Sequence, residues 1–217
     1  MKSHSIFVAM LLALATAAAS AGPLSPTSYS MPNGDGQASG GTYNYWDGSY
    51  TGAGSTTTDG AALSGGLGKL TDGIVSTSVW YNVSNNAGTG DYVGWFAPVT
   101  RNPVITFSFA GNPAIDSIAI QLDNTGAGGV FEPSAILIDG VSKSFSALAP
   151  GTVGSVSFTG LGLVGPIHTI EFDQAPSTWT FVSEISFSGS PTAVPEPATW
   201  ALMSLGVVGL ALRRRRA

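Results

Sequence analysis

The sequence predicts an all-β fold, a sandwich of antiparallel sheets, and three observations carry that prediction. Short runs rich in Val, Ile, Phe and Thr recur between clusters of Gly, Pro, Asn and Asp. Helical periodicity is not sustained anywhere from Ser25 to Ser190. Apolar and polar residues alternate in Ile105-Thr106-Phe107-Ser108-Phe109 and in Val182-Ser183-Glu184-Ile185-Ser186-Phe187. Successive strand side chains point to opposite faces, so such alternation gives one face to a core and one to water. Taken in order, the expected strands are Tyr43–Tyr50, Val79–Val83, Asp91–Ala97, Val104–Phe109, Ser117–Leu122, Ala135–Asp139, Ser155–Phe158, His168–Phe172 and Phe181–Ser188. Many short strands with Gly turns and no intervening helices form a β-sandwich or jelly roll.

The ends of the chain have a different character. Met1 to Ser5 is a short basic start, Ile6 to about Ala19 is apolar, and Ala19-Ser20-Ala21 is an A-x-A cleavage site. These are the parts of a secretory signal helix, expected to span 1–21 and to be cut after Ala21. Residues 22–27 then read as a linker and 28–190 as the sandwich. At the other end, Pro195-Glu196-Pro197 precedes an apolar stretch from Ala198 to Leu212, closed by Arg213, Arg214, Arg215 and Arg216. As a helix this stretch is about 22 Å long, short of a hydrocarbon core of about 30 Å. Snorkelling arginines and local thinning can close the gap. A short transmembrane helix over 198–212 with a cationic stop fits a temporary anchor, with the arginines held in the cytoplasm.

Composition narrows the function classes. The 217 residues contain no Cys, which removes disulfides, Cys-bound zinc, cysteine nucleophiles and iron–sulfur clusters. Outside the two ends, only Lys69, Arg101 and Lys143 are basic, whereas all 13 acidic residues lie between Asp35 and Glu196. Such a body repels nucleic acid, which needs clustered Lys and Arg. It favours oxygen-bound cations, or simply solubility. His168 is the only histidine beyond the first five residues, so a His-rich metal centre is excluded. No Gly-x-Ser-x-Gly elbow supports a serine hydrolase, and Gly65-Gly66-Leu67-Gly68 lacks the Lys of a phosphate loop.

The ending Val194-Pro195-Glu196-Pro197, the apolar stretch and Arg213 to Arg216 resemble the PEP-CTERM sorting signal over 191–217. That resemblance implies recognition by an exosortase in exopolysaccharide-producing bacteria, cleavage near Pro195, Glu196 and Pro197, and loss of the tail. The product would be a protein of the cell surface or of a biofilm matrix.

Within the body, several stretches resemble in order the discoidin-like, galactose-binding-like sandwich of coagulation factors and carbohydrate-binding modules. They are Leu70-Thr71-Asp72-Gly73 with Trp80 downstream, Asp91-Tyr92-Val93-Gly94-Trp95, Val104 to Phe109, Ile115 to Ile120, Phe131 to Ala135, and Phe181 to Phe187. The resemblance implies a structural calcium held by the carboxylates of Asp72 and Glu184, with Thr77 and the Leu70 carbonyl as further ligands. The alternative is that Asp72 caps a turn with Gly73 while Glu184 faces solvent. Among the tryptophans, Trp80 and Trp95 lie in apolar runs and read as core. Trp46, beside Tyr43, Tyr45 and Tyr50, is the candidate for stacking on a sugar. The polar runs 85–91 and 124–129 either shape a binding rim or are plain turns. The expected function is a non-enzymatic module that binds exopolysaccharide or another glycan, or has a structural role. A small secreted glycan-acting enzyme with a carboxylate pair is the alternative.

Overall fold

The computed structural model describes residues 21–38 and 43–191. The expected signal helix, the apolar stretch 198–212, and Pro195, Glu196, Pro197 and Arg213 to Arg216 lie outside the described residues. Two antiparallel sheets face each other. The first runs β1 (Gly22–Leu24), β14 (Trp179–Ser190), β8 (Ala114–Asn124), β11 (Thr152–Phe158), with β6 (Val93–Phe96) paired to β14 and β12 (Leu163–Val164) to β8. The second runs β10 (Val141–Lys143), β9 (Ala135–Ile138), β13 (Ile167–Asp173), β7 (Val104–Ser108), β2 (Ser28–Pro32), β5 (Ala62–Gly66). A small third sheet pairs β3 (Gly36–Ala38) with β4 (Tyr43–Asn44). Among the described residues no helix is long and apolar enough to cross a membrane.

The inner faces follow from the alternation. Ile118, Ile120, Leu122, Val182, Ile185 and Phe187 of the first sheet meet Tyr29, Ile105, Phe107, Ile136, Ile170 and Phe172 of the second, all 4% exposed or less. Area removed from water at this interface is the main favourable term for such a fold. A second, aromatic cluster of Tyr45, Trp80, Tyr92, Trp179 and Phe181 closes one end of the sandwich. Trp80 and Trp95 are buried, as their apolar surroundings predict.

Three local readings are corrected. Residues 22–24, read as linker, form β1, with Gly22 opposite Gly189 and Leu24 opposite Phe187. Val79–Val83, read as a strand, contains instead the one-turn helix α1 (Trp80–Val83). Its first N–H, from Trp80, is taken by the Asp123 carboxylate at 2.7 Å, a partner 43 residues away. Tyr43–Tyr50, also read as a strand, is extended only at Tyr43–Asn44.

The remainder of that segment is held by a buried polar network. Asp47 is fully buried and accepts from the Tyr29 hydroxyl and from the Lys69 N–H at 3.2 Å. Lys69 is 3% exposed, and its ammonium donates to the carbonyls of Trp46 and Gly88 at 2.6 Å each. Burial lowers the Lys69 pKa to about 8, opposed by the nearby Asp47 charge. The carbonyls and the carboxylate supply what a buried cation needs, so Lys69 fixes the loop that carries Trp46.

Candidate functional site

The Asp72–Glu184 pair is built by an irregularity in β14. The register against β8 shifts between Val182 and Glu184. A β-bulge inserts one residue and re-aims its neighbours, so Val182 and Ile185 both face the core while Glu184 turns toward the loop after Leu70. There the Gly73 N–H donates to Glu184 Oε2 at 3.0 Å, and the Ile74 N–H donates to Asp72 Oδ1 at 2.8 Å. The left-handed φ of +85° at Gly73 is why this turn carries glycine. The Ser76 N–H to Ser183 Oγ (3.2 Å) and the Gln121 amide to the Ser76 carbonyl (2.7 Å) tie the rest of the loop to the sheet.

Both carboxyls are raised above their ordinary values. Burial pushes the Glu184 carboxyl up to about 7, the Gly73 N–H pulls it down, and the Asp72 charge adds to the rise. Partial desolvation also raises Asp72, opposed by the Ile74 N–H and by Lys69. Both line a concavity of about 450 Å³ with Thr71, Leu24 and Pro26. Thr71 Oγ1 is buried with no hydrogen-bond partner in the protein, and the sequence reading had not singled it out. The two carboxylates named from the sequence are therefore brought together. Thr77 is exposed on the outer limb of the loop, and Leu70 is fully buried. Calcium takes six to eight oxygens. No group of three His, Cys, Asp or Glu stands together among the described residues. Asp72, Glu184 and the Thr71 hydroxyl fit a part of such a shell, and carbonyls and water would have to complete it.

Trp46 lies elsewhere. It is half-buried, and its indole N–H donates to Asp59 Oδ1 at 2.7 Å. One face of its ring rests on the backbone of Gly36, where a Cβ would stand 2.5 Å from the ring. His168 is 4% exposed, with Nδ1 2.7 Å from Asp139 Oδ2 and Nε2 3.2 Å from the Gly165 carbonyl. Both ring nitrogens are committed to structure.

A larger groove, of about 1010 Å³, opens where the edge strands β10 and β11 leave the sandwich uncovered. Its walls include Thr125, Phe131, Glu132, Ser142, Lys143 and Phe145. The Asn124 amide donates to the Leu148 carbonyl at 3.1 Å, and the Leu148 N–H donates to Glu132 Oε2 at 2.9 Å. These bonds hold the 144–151 connection as the far wall. Phe131 is 44% exposed. Thr125 Oγ1 is buried without a partner in the protein. The polar run 124–129 does lead into this rim, but Phe131 and Lys143 carry no motif that would mark them in the sequence.

Comparison with known proteins places these features. The PEP-CTERM protein-sorting motif matches residues 193–216, a motif that marks export and sorting to the cell surface or beyond. No curated protein matches the chain. Several solved structures are similar. A truncated AlyQ with CBM32 and alginate lyase domains has a TM-score of 0.44 and 11% identity, over 83% of this chain and 36% of that one. The Streptococcus pneumoniae β-galactosidase BgaA has a TM-score of 0.40 and 11% identity, over 55% and 82%. A fucolectin from striped bass (Morone saxatilis) serum has a TM-score of 0.35 and 12% identity, over 76% and 72%. The match that covers half of the chain is a family model, over residues 26–136 and through the Asp72 loop, the buried Trp95, β7 and β8. The chain belongs to the discoidin domain-containing receptor 1/2, DS-like domain family.

Proposed function

We propose that this is an exported, non-enzymatic glycan-binding protein, sorted by an exosortase, that takes its ligand in the groove between β10 and β11. The observation that carries the reading is the groove itself. It combines an open volume of about 1010 Å³, a half-exposed Phe131 face and a buried, unpartnered Thr125 hydroxyl. Pyranose rings offer an apolar face to an aromatic ring and hydroxyls to polar groups around it. Lys143, which has no ion-pair partner among the described residues, adds a cation for an acidic or phosphorylated sugar. Trp46 is a second proposed contact, at the loop cluster where its ring is half open. Calcium at Asp72 and Glu184 would brace the 70–77 loop rather than touch the ligand.

A glycan array probed with the 22–191 domain tests the reading. Binding is expected to a defined set of glycans, to weaken about tenfold in Phe131→Ala, a loss of about 1.4 kcal/mol, and to release no reducing sugar. Absence of any glycan binding at millimolar ligand counts against it. The second reading, a glycan-acting enzyme, is favoured by one observation, the Glu184 carboxyl raised to about 7 beside Asp72. Release of reducing sugar that disappears in Glu184→Gln decides for it.

A further inference from the structure

The two ends of the described domain emerge side by side. Gly22 of β1 pairs with Gly189 of β14, and Ser190 pairs with Ala114 at the start of β8. Val164 of β12 pairs with the same Ala114, and Ile167 begins β13 opposite Ser108. One end of the sandwich therefore holds both chain exits together with the 109–113 and 159–167 turns. Hydrogen bonds join these turns into one platform. The Phe109 N–H donates to the Pro166 carbonyl at 2.7 Å, and the Gly165 N–H to the Pro113 carbonyl at 3.3 Å.

The turns of this platform are uncharged and expose apolar side chains. Neither Phe109-Ala110-Gly111-Asn112-Pro113 nor Thr159-Gly160-Leu161-Gly162-Leu163-Val164-Gly165-Pro166-Ile167 contains a charged residue. Val164 is 68% exposed and Ile167 is 59% exposed. The nearest acids are Asp116, two residues into β8, and Asp139, which is taken up by His168.

The chain beyond this end says what can cover it. Residues 191–197 separate Ser190 from the apolar stretch that starts at Ala198, at most about 25 Å of extended chain. While that stretch is inserted, the domain cannot move far from the bilayer, and the end with the exits is the end held closest. Anionic lipid repels carboxylates within a Debye length of about 10 Å, and the two uncharged turns at the tethered end lower that penalty where the chain holds the domain closest.

We propose that the 109–113 and 159–167 turns are a lipid-facing platform, with Val164 and Ile167 seated at the bilayer interface while the sorting tail is intact. The proposal rests on the reading of 198–212 as a temporary anchor. It orients the domain, because Asn124, at the other end of β8, lines the groove about 30 Å away along the strand. The platform faces lipid and the groove faces outward.

The chain has no Cys, so a single introduced thiol labels one position. Protein beginning at Gly22 with its tail intact, carrying Val164→Cys, Ala110→Cys or Ser144→Cys, is reconstituted into vesicles of mixed phosphatidylcholine and anionic phosphatidylglycerol, and a polarity-sensitive dye is read with an aqueous quencher. Quenching at 164 and 110 is expected to be about fivefold weaker than at 144, as an interfacial site requires. In a Val164→Ser/Ile167→Ser background, the protection at 110 is expected to fall. Protein that floats with the vesicles but is quenched equally at 110, 144 and 164 overturns the platform and leaves the anchor standing. Protein that does not float overturns the anchor itself and the platform with it. Protection at 164 that appears without lipid and grows with protein concentration also overturns the proposal, in favour of a second copy on this face.

Discussion

Glu184 couples the first sheet to the 70–77 loop through the Gly73 N–H, and its carboxyl titrates near 7 instead of its ordinary 4.5. The folded state therefore holds this proton more tightly than the unfolded chain does. Its contribution is fully present below about pH 4.5 and is lost as pH rises through about 7. A shift of this size corresponds to at most about 3 kcal/mol. In metal-free buffer the melting temperature of the domain is expected to fall between pH 5 and pH 8, and Glu184→Gln is expected to flatten that slope. A cation held between Asp72 and Glu184 reverses the sign, because it favours both ionised carboxylates. Calorimetry at pH 7.5 is then expected to show a rise in melting temperature with millimolar calcium, absent in Glu184→Gln. An unchanged melting temperature in the wild type removes calcium from the account.

Elements that depend on their neighbours fix the geometry of the aromatic end. Gly94 in β6 sits opposite Phe181 of β14, and a Cβ there would stand 2.2 Å from the Phe181 ring. Phe181 in turn packs on Tyr45 and Trp179, with centroids 4.5 and 5.6 Å away. Gly94→Ala therefore has no space without displacing the cluster, and overpacking of this kind costs about 1–3 kcal/mol. A thermal melt is expected to show the loss, and a neutral result would mean that the cluster repacks freely. The same dependence on neighbours decides what the sequence could disclose. Alternation alone marked β7 and most of β14, because each buries one face whatever its partners are. β2 and β5 escaped, since Ser28–Pro32 and Ala62–Gly66 are rich in Ser and Gly and become strands by pairing with each other and with β7. Trp80–Val83 carries a strand-like composition, yet Asp123 caps it as a helical turn from far along the chain. For the site, the resemblance supplied Asp72 and Glu184, but the bulge at Ser183 that joins them, and the buried Thr71 hydroxyl, are properties of the folded chain. The groove draws on residues 124–151, where no local pattern separates a rim from a turn.

At the scale of the molecule, the pairing of Gly22 with Gly189 puts the expected leader and the sorting tail on the same end of the sandwich. β1 carries structural weight: Leu24 packs against the main core, and the strand covers one edge of β14. The expected leader cleavage after Ala21 would stop just short of this strand, whereas cleavage a few residues later would remove it. Tail cleavage at Pro195 to Pro197 would fall beyond the last residue of β14, Ser190. Both cuts would thus spare the fold, and the second would free the domain from its proposed anchor. Mass spectrometry of protein from the native host is expected to show a mature N-terminus at Gly22 and a C-terminus between Pro195 and Pro197. Glu196→Ala is expected to leave the apolar stretch and Arg213 to Arg216 attached, and the protein in the membrane fraction. If surface-exposed wild-type protein keeps its arginine tail, the span is a permanent anchor and processing has no part in its release.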